Sequence, residues 1–364
     1  MTSIEQSRVQ PGDDGLANTV VDKLCRLIPA AGAISYPFWL DAFHLVVSPS
    51  GGPLSAARIF GAALCLFAAT AMPLLGLACA FWMTTAATRE ASASFELRAR
   101  RLAYITIAAP PLFVLTGVGL GLLHLHVSDE LVWVVGWLAA CTYVLLGSEA
   151  KPGLAAPSVP AARSIAKWRV VHGVAAVVIL VYVLFHLTNH LLGLWGPEVH
   201  AAVMKTGRLV YRSAVVEPVL VALMLFQVIV GARLAWRWSS LPSDAFRVFQ
   251  IGSGVYLAAF ILTHLNSAFI SARAVHHTET DWAWASGAPI GLIHDAWSIR
   301  LVPHYALGVL FVLAHLCSGL RAVLLAHGVG ETSVNRIWTA GLVASALVSA
   351  AIMSGLCGVR ISAI

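Results

Sequence analysis

Charge is scarce in this chain. Asp, Glu, Lys and Arg make up 11% of the 364 residues, against about 25% in soluble proteins. The length would allow two ordinary soluble domains, but this composition excludes them. Paired cysteines are missing as well. Cys25, Cys65, Cys79, Cys141, Cys317 and Cys357 form neither CxxCH nor paired CxxC motifs, so nothing supports a covalent c-type haem or cysteine-held iron–sulfur clusters. They read as small buried hydrophobes. No dinucleotide-binding glycine fingerprint occurs. The first fifty residues also lack the basic start, apolar core and small-residue cleavage site, in that order, of a secretory signal.

What is present is apolar. Hydrophobic residues account for 59% of the chain, in long continuous runs. A run of about 20 such residues crosses the hydrocarbon layer as a helix. Only helices and closed barrels satisfy their own backbone there, and continuous rather than alternating runs favour helices. The expected fold is therefore an all-α, polytopic transmembrane bundle of about eight spans, near 57–83, 102–125, 131–148, 171–195, 215–236, 248–270, 303–325 and 338–358. Residues 1–56 are expected to be an extramembrane or interfacial segment. In particular Leu24–Val47, broken by Pro29, Pro37 and Asp41, reads as interfacial, with a ninth span as the weaker alternative. Residues 57–150 form a three-helix region in which Pro73 and Pro110-Pro111 should bend spans one and two. A cytoplasmic linker at 151–166 then leads to a five-helix region at 167–364.

The net charge of +6 belongs to membrane topology rather than to nucleic-acid binding, since Lys and Arg gather in cytoplasmic loops. Arg89, Arg98, Arg100 and Arg101 follow span one, and Lys151, Arg163, Lys167 and Arg169 precede span four. Arg233, Arg237 and Arg247 lie between spans five and six, with Arg321 and Arg336 between seven and eight. This bias predicts a bacterial inner-membrane protein with both termini outside. Lys205, Arg208 and Arg212 run against it, because their loop falls on the outer side. His124 and His126 at the outer end of span two read as interfacial, and Trp282, Trp284 and Trp297 as an aromatic belt.

The C-terminal half repeats itself. Leu184-Phe185-His186-Leu187-Thr188-Asn189 in span four corresponds to Leu262-Thr263-His264-Leu265-Asn266-Ser267 in span six. Gln227-x3-Gly231-x-Arg233 in span five corresponds to His315-x3-Gly319-x-Arg321 in span seven. This predicts a four-helix bundle of parallel repeats. Ionisable side chains inside spans are costly and face the bundle interior. His186 and His264 each lie about sixteen residues into spans of the same direction, so at ~1.5 Å rise per residue they share one depth in the outer leaflet. Two imidazoles facing each other at one depth can hold a haem b iron from both sides, an arrangement suited to electron transfer. A histidine in a membrane helix otherwise packs or hydrogen-bonds across helices. The matched pair and the lack of acidic residues at its depth favour haem over that role and over a carboxylate-rich metal site. His190, one turn beyond His186, can replace it or orient a propionate, and His304 reads as interfacial. Gln227 and His315 form a deeper pair in which glutamine is a poor ligand. Gly231 and Gly319 would let a flat macrocycle approach, or allow close helix packing, and Arg233 and Arg321 would meet propionates or quinone carbonyls.

On Arg169 with His172-Gly173, on Phe185 to Asn189, on His264, and on His315-x3-Gly319-x-Arg321, the region 167–360 resembles the cytochrome b membrane anchor of succinate dehydrogenases and fumarate reductases. The resemblance implies a bundle binding one or two haems b and a quinone. His186 and His264 would hold the outer haem, and His315 an inner one whose partner position here carries Gln227. Trp168, Arg169 and His172 would lie near a quinone at the inner helix ends. The expected function is electron transfer between quinone or quinol and an iron–sulfur or flavoprotein partner, not catalysis by this chain alone. A haem- or quinone-responsive sensor acting on a signalling partner is one alternative. A transporter or structural protein without haem is the other.

Overall fold

The computed structural model describes residues 20–48, 55–85, 93–147, 159–241 and 243–361, with the side chains of Ala93 and of the 159–165 stretch excepted. The first part of the expected linker, 151–158, and Arg89 lie outside the described residues. Among the described residues there are helices and turns but no strand. The N-terminal helices are α1 (Ile28–Val47), α2 (Ala56–Thr85), α3 (Ala93–Thr106), α4 (Ala109–Leu122) and α5 (Asp129–Leu146). The C-terminal part comprises α6 (Val159–Leu192), α7 (Pro197–Tyr211), α8 (Val216–Trp238), α9 (Ala245–Leu265), the short α10 (Trp282–Ser286), α11 (Leu301–Ala326) and α12 (Glu331–Leu356). Eight of these segments are long and apolar enough to cross a membrane: α1, α2, α5, α6, α8, α9, α11 and α12. The chain therefore has the helical, lipid-facing character of an integral membrane protein. Valines at 170, 174, 177, 178 and 181 are exposed along α6, as expected of a helix whose outer stripe meets lipid tails rather than water.

The membership of the eight differs from the sequence expectation. Leu24–Val47 is not merely a broken interfacial stretch, because α1 runs through 20 of its residues. Pro29 occupies the first turn, where a missing N–H costs nothing. Pro37 lies inside the helix, and Tyr36, Leu40 and Phe43 bury beside it. Expected span two is instead α3 and α4, bent by 71° where Pro110-Pro111 opens the second helix; the pair forms a ninth crossing only if counted as one broken span. Pro73, by contrast, sits inside a continuous α2. The loop expected between spans four and five holds an amphipathic helix, α7, entered at Gly196-Pro197.

Contacts fix which ends lie together. Arg26, just before α1, pairs with Glu96 of α3 at 2.5 Å, and Arg101 of α3 donates to Ser239 and to the Trp236 carbonyl at the end of α8. At the opposite end, Ile361 N–H reaches the Leu194 carbonyl beyond α6 (2.8 Å). Residues 26 and 361 thus occupy opposite ends of the helix assembly.

The expected four-helix bundle is a ring of five. Helix α6 neighbours α8, α8 neighbours α9, α9 neighbours α11, α11 neighbours α12, and α12 returns to α6. Helices α2, α3 and α4 pack on α9, and α2 and α4 also on α11. A buried run of Tyr36, Phe113, Trp133 and Trp137, each edge-on to the next, forms the N-terminal core. Its Trp133 Nε1 donates to the Ala33 carbonyl at 2.8 Å.

Candidate functional site

The matched histidines meet. The rings of His186 (α6) and His264 (α9) stand 6.0 Å apart between centroids, at 71° to one another. Each is stacked on an aromatic ring one turn earlier in its own helix. Tyr182 lies 5.6 Å from His186 at 20°, and Phe260 lies 5.7 Å from His264 at 12°. Residues four apart share a helix face, so the repeat is longer than the hexapeptides suggest: aromatic-x3-His in both helices. Phe260 is pressed onto Gly308 of α11, where an added Cβ would overlap the ring.

More histidines surround the pair. His190 is edge-on to His186 at 4.7 Å, and His200 of α7 lies 5.3 Å from His190. On the far side, His304 lies 4.7 Å from Phe260. His304 is only 2% exposed, which corrects the interfacial reading: its ring packs against Phe260 and Tyr305 inside the helix assembly. Tyr256 donates to the His304 carbonyl at 2.7 Å. Trp282 is not part of an exposed belt either. It is buried against Gly193, His190 and His200, with Arg360 over its ring. Trp297 is exposed, as the belt reading expects. His124 and His126 are exposed at the end of α4. Two residues past His264 the backbone widens into a π-helix, Asn266–Val275, a form concentrated at functional sites. His200, 2% exposed, has its imidazole pushed down to about 4 by burial and by Arg208, with Asp281 opposing.

His186 and His264 are the residues that would hold a haem b. An imidazole nitrogen bonds a transition metal at about 2 Å, so two imidazoles 6.0 Å apart between centroids could share one metal. Asn189 Oδ1, Asn266 Nδ2 and the Nδ1 atoms of His190 and His304 are buried near the pair without a protein partner, polar atoms that require an explanation. Among the described residues no group of three or more His, Cys, Asp or Glu is arranged to hold a metal ion; a bis-imidazole haem draws only two donors from the protein.

The deeper site is arranged differently. Gln227 Nε2 donates to the His172 carbonyl at 3.0 Å, so this side chain is tied to α6. His172 Cε1 lies 3.4 Å from where a Cβ on Gly231 would sit, so Gly231 admits the imidazole of His172. His315 Nδ1 meets Ser253 Oγ at 2.9 Å, and Gly254 makes room for its ring. Gly319 faces open space. The basic end is lined by cation–aromatic pairs. Arg169 and Arg247 both approach Trp238, Arg233 approaches Trp168, and Arg321 sits 3.4 Å over Phe246 while donating to Asn335. All six cysteines are free and half-buried.

No family model, curated protein or solved structure matches this chain.

Proposed function

We propose that the chain is a membrane cytochrome b-type module that carries electrons through one haem b held by His186 and His264. The observation that carries this reading is the 6.0 Å separation of two imidazoles from matched repeats. Haem b supplies a one-electron iron couple when bound. Tyr182 and Phe260 fix the planes of the two imidazoles, and Gly308 admits Phe260. The deeper residues His172, Gln227, Gly231 and His315, with Arg169, Arg233, Gly319 and Arg321 near the basic end, are the place for a quinone or a second haem. An iron–sulfur or flavoprotein partner would exchange electrons with the module, as the resemblance to succinate dehydrogenase and fumarate reductase anchors implies.

A visible spectrum of the detergent-purified protein, oxidised and then dithionite-reduced, tests the reading. Sharp b-type α and Soret bands are expected, absent in His186→Ala and His264→Ala but kept in His190→Ala. A colourless preparation from haem-replete cells overturns it.

A further inference from the structure

Lys205, Arg208 and Arg212 fall on the side of the membrane where the charge bias allows few cations. The fold gives Arg208 and Arg212 a local setting. Helix α7 carries His200, Met204 and Arg208 at four-residue intervals on one face, and His200 packs on His190. Its last turn brings Tyr211 against Tyr182, the ring stacked on His186. Arg212 follows Tyr211 directly, and the Tyr182 hydroxyl lies in the field of Arg212 and Glu217. Both arginines therefore stand on the outer rim of the histidine pair.

Their positive charge is poorly answered by the protein. Arg212 donates to the Thr280 hydroxyl at 2.7 Å and Arg208 to the Thr280 carbonyl at 3.1 Å, both neutral acceptors. Arg208 Nε is buried without a partner. The nearest carboxylate to Arg208 is that of the exposed Glu279, at 3.9 Å. Glu217 is engaged by Arg273 through two bonds, at 2.7 and 3.2 Å. Burial, reinforced by Arg208 and Arg273, pushes the Arg212 guanidinium below its usual value, the condition a neighbouring anion would relieve.

The geometry points to Arg208 and Arg212 as the seat of the two carboxylates of the porphyrin held by His186 and His264. This rests on the haem reading and adds the residues that orient the macrocycle. Guanidinium–carboxylate pairs are the strongest hydrogen-bonded anchors a protein offers, and two carboxylates match two such groups in number and sign. On this account the outer cations are explained by a ligand rather than by topology.

The test compares iron protoporphyrin IX with its dimethyl ester, which keeps the iron and ring but lacks the carboxylates. Haem-depleted full-length protein in detergent is titrated with each, followed by Soret absorbance. Wild type should prefer the diacid by about tenfold or more. An Arg208→Gln/Arg212→Gln double variant should lose that preference while still binding the ester, and Arg208→Lys/Arg212→Lys should regain part of it. Equal affinity of wild type for the two compounds overturns the arginine assignment and leaves the haem reading standing. Failure of wild type to bind either overturns both. Should the double glutamine variant not fold, the wild-type comparison alone still decides.

Discussion

Asp129, at the first residue of α5, and Arg300, immediately before α11, form a largely buried ion pair that ties the N-terminal helices to the C-terminal ring. Gly117 of α4 passes beside it. A Cβ there would lie 2.7 Å from Arg300 Nη1 and 2.9 Å from Asp129 Oδ2. The Arg300 guanidinium also lies over Phe113, 4.5 Å from its centroid.

Removing one partner of a buried pair strands the other charge and costs about 3–5 kcal/mol. Asp129→Asn should therefore lower the unfolding temperature in detergent well beyond the shift from an exposed control such as Glu198→Gln. Gly117→Ala should act in the same direction by wedging the pair apart. An Asp129→Leu/Arg300→Met variant should recover most of the loss. Unchanged melting of Asp129→Asn would show that the pair does not hold the two regions together.

Gly308 exists to admit Phe260, so Gly308→Ala should force that ring off His264. Overpacking of this kind costs about 1–3 kcal/mol. Pairing it with Phe260→Leu should return part of the stability, because residues in contact couple. Additive losses in the double variant would exclude the contact.

His200 makes stability depend on pH. Its folded imidazole titrates at about 4, while the unfolded chain takes up the proton near 6.5. Above pH ~6.5 both states are neutral and the group contributes nothing. Between 6.5 and 4 the unfolded state binds more protons, so stability falls with pH, by about 3 kcal/mol at the lower limit. Melting temperatures recorded from pH 7.5 downwards should fall more steeply for wild type than for His200→Gln. Parallel curves would mean that His200 protonates without cost.

Helix α1 is long and apolar enough to cross a membrane, which would put its two ends on opposite sides. In a cysteine-free background, single cysteines at positions 22 and 240 should respond alike to an impermeant thiol reagent, and those at 55, 128 and 361 should respond together in the opposite sense. Matching responses at 22 and 361 would remove α1 from the set of crossing helices.

The sequence exposed the parts of this site that depend on period. His186 and His264 were found because both lie at one depth in repeated hexapeptides. The aromatic rings four residues before them, Tyr182 and Phe260, were equally legible as an extended repeat. His200 and His304 were not, because each is a single histidine brought in by tertiary packing, from α7 and from the first turn of α11. Helix α1 was obscured by Pro29 and Pro37, whose cost vanishes in the first turn of a helix and is offset by the burial of Tyr36 and its neighbours in the interior. The bend at Pro110-Pro111 was expected; its 71° sharpness, which separates a polar α3 from an apolar α4, depends on contacts that α3 makes with α1, α2 and α9.

Helix α12 closes the ring between α11 and α6, and the strand of chain after it is stitched to Leu194. Chains leave the ribosome N-terminus first, so of all the described helices the one that closes the ring is the last to be made. Until it docks, the gap between α6 and α11 opens sideways to lipid. In the finished protein α12 shuts that gap by packing on both neighbours.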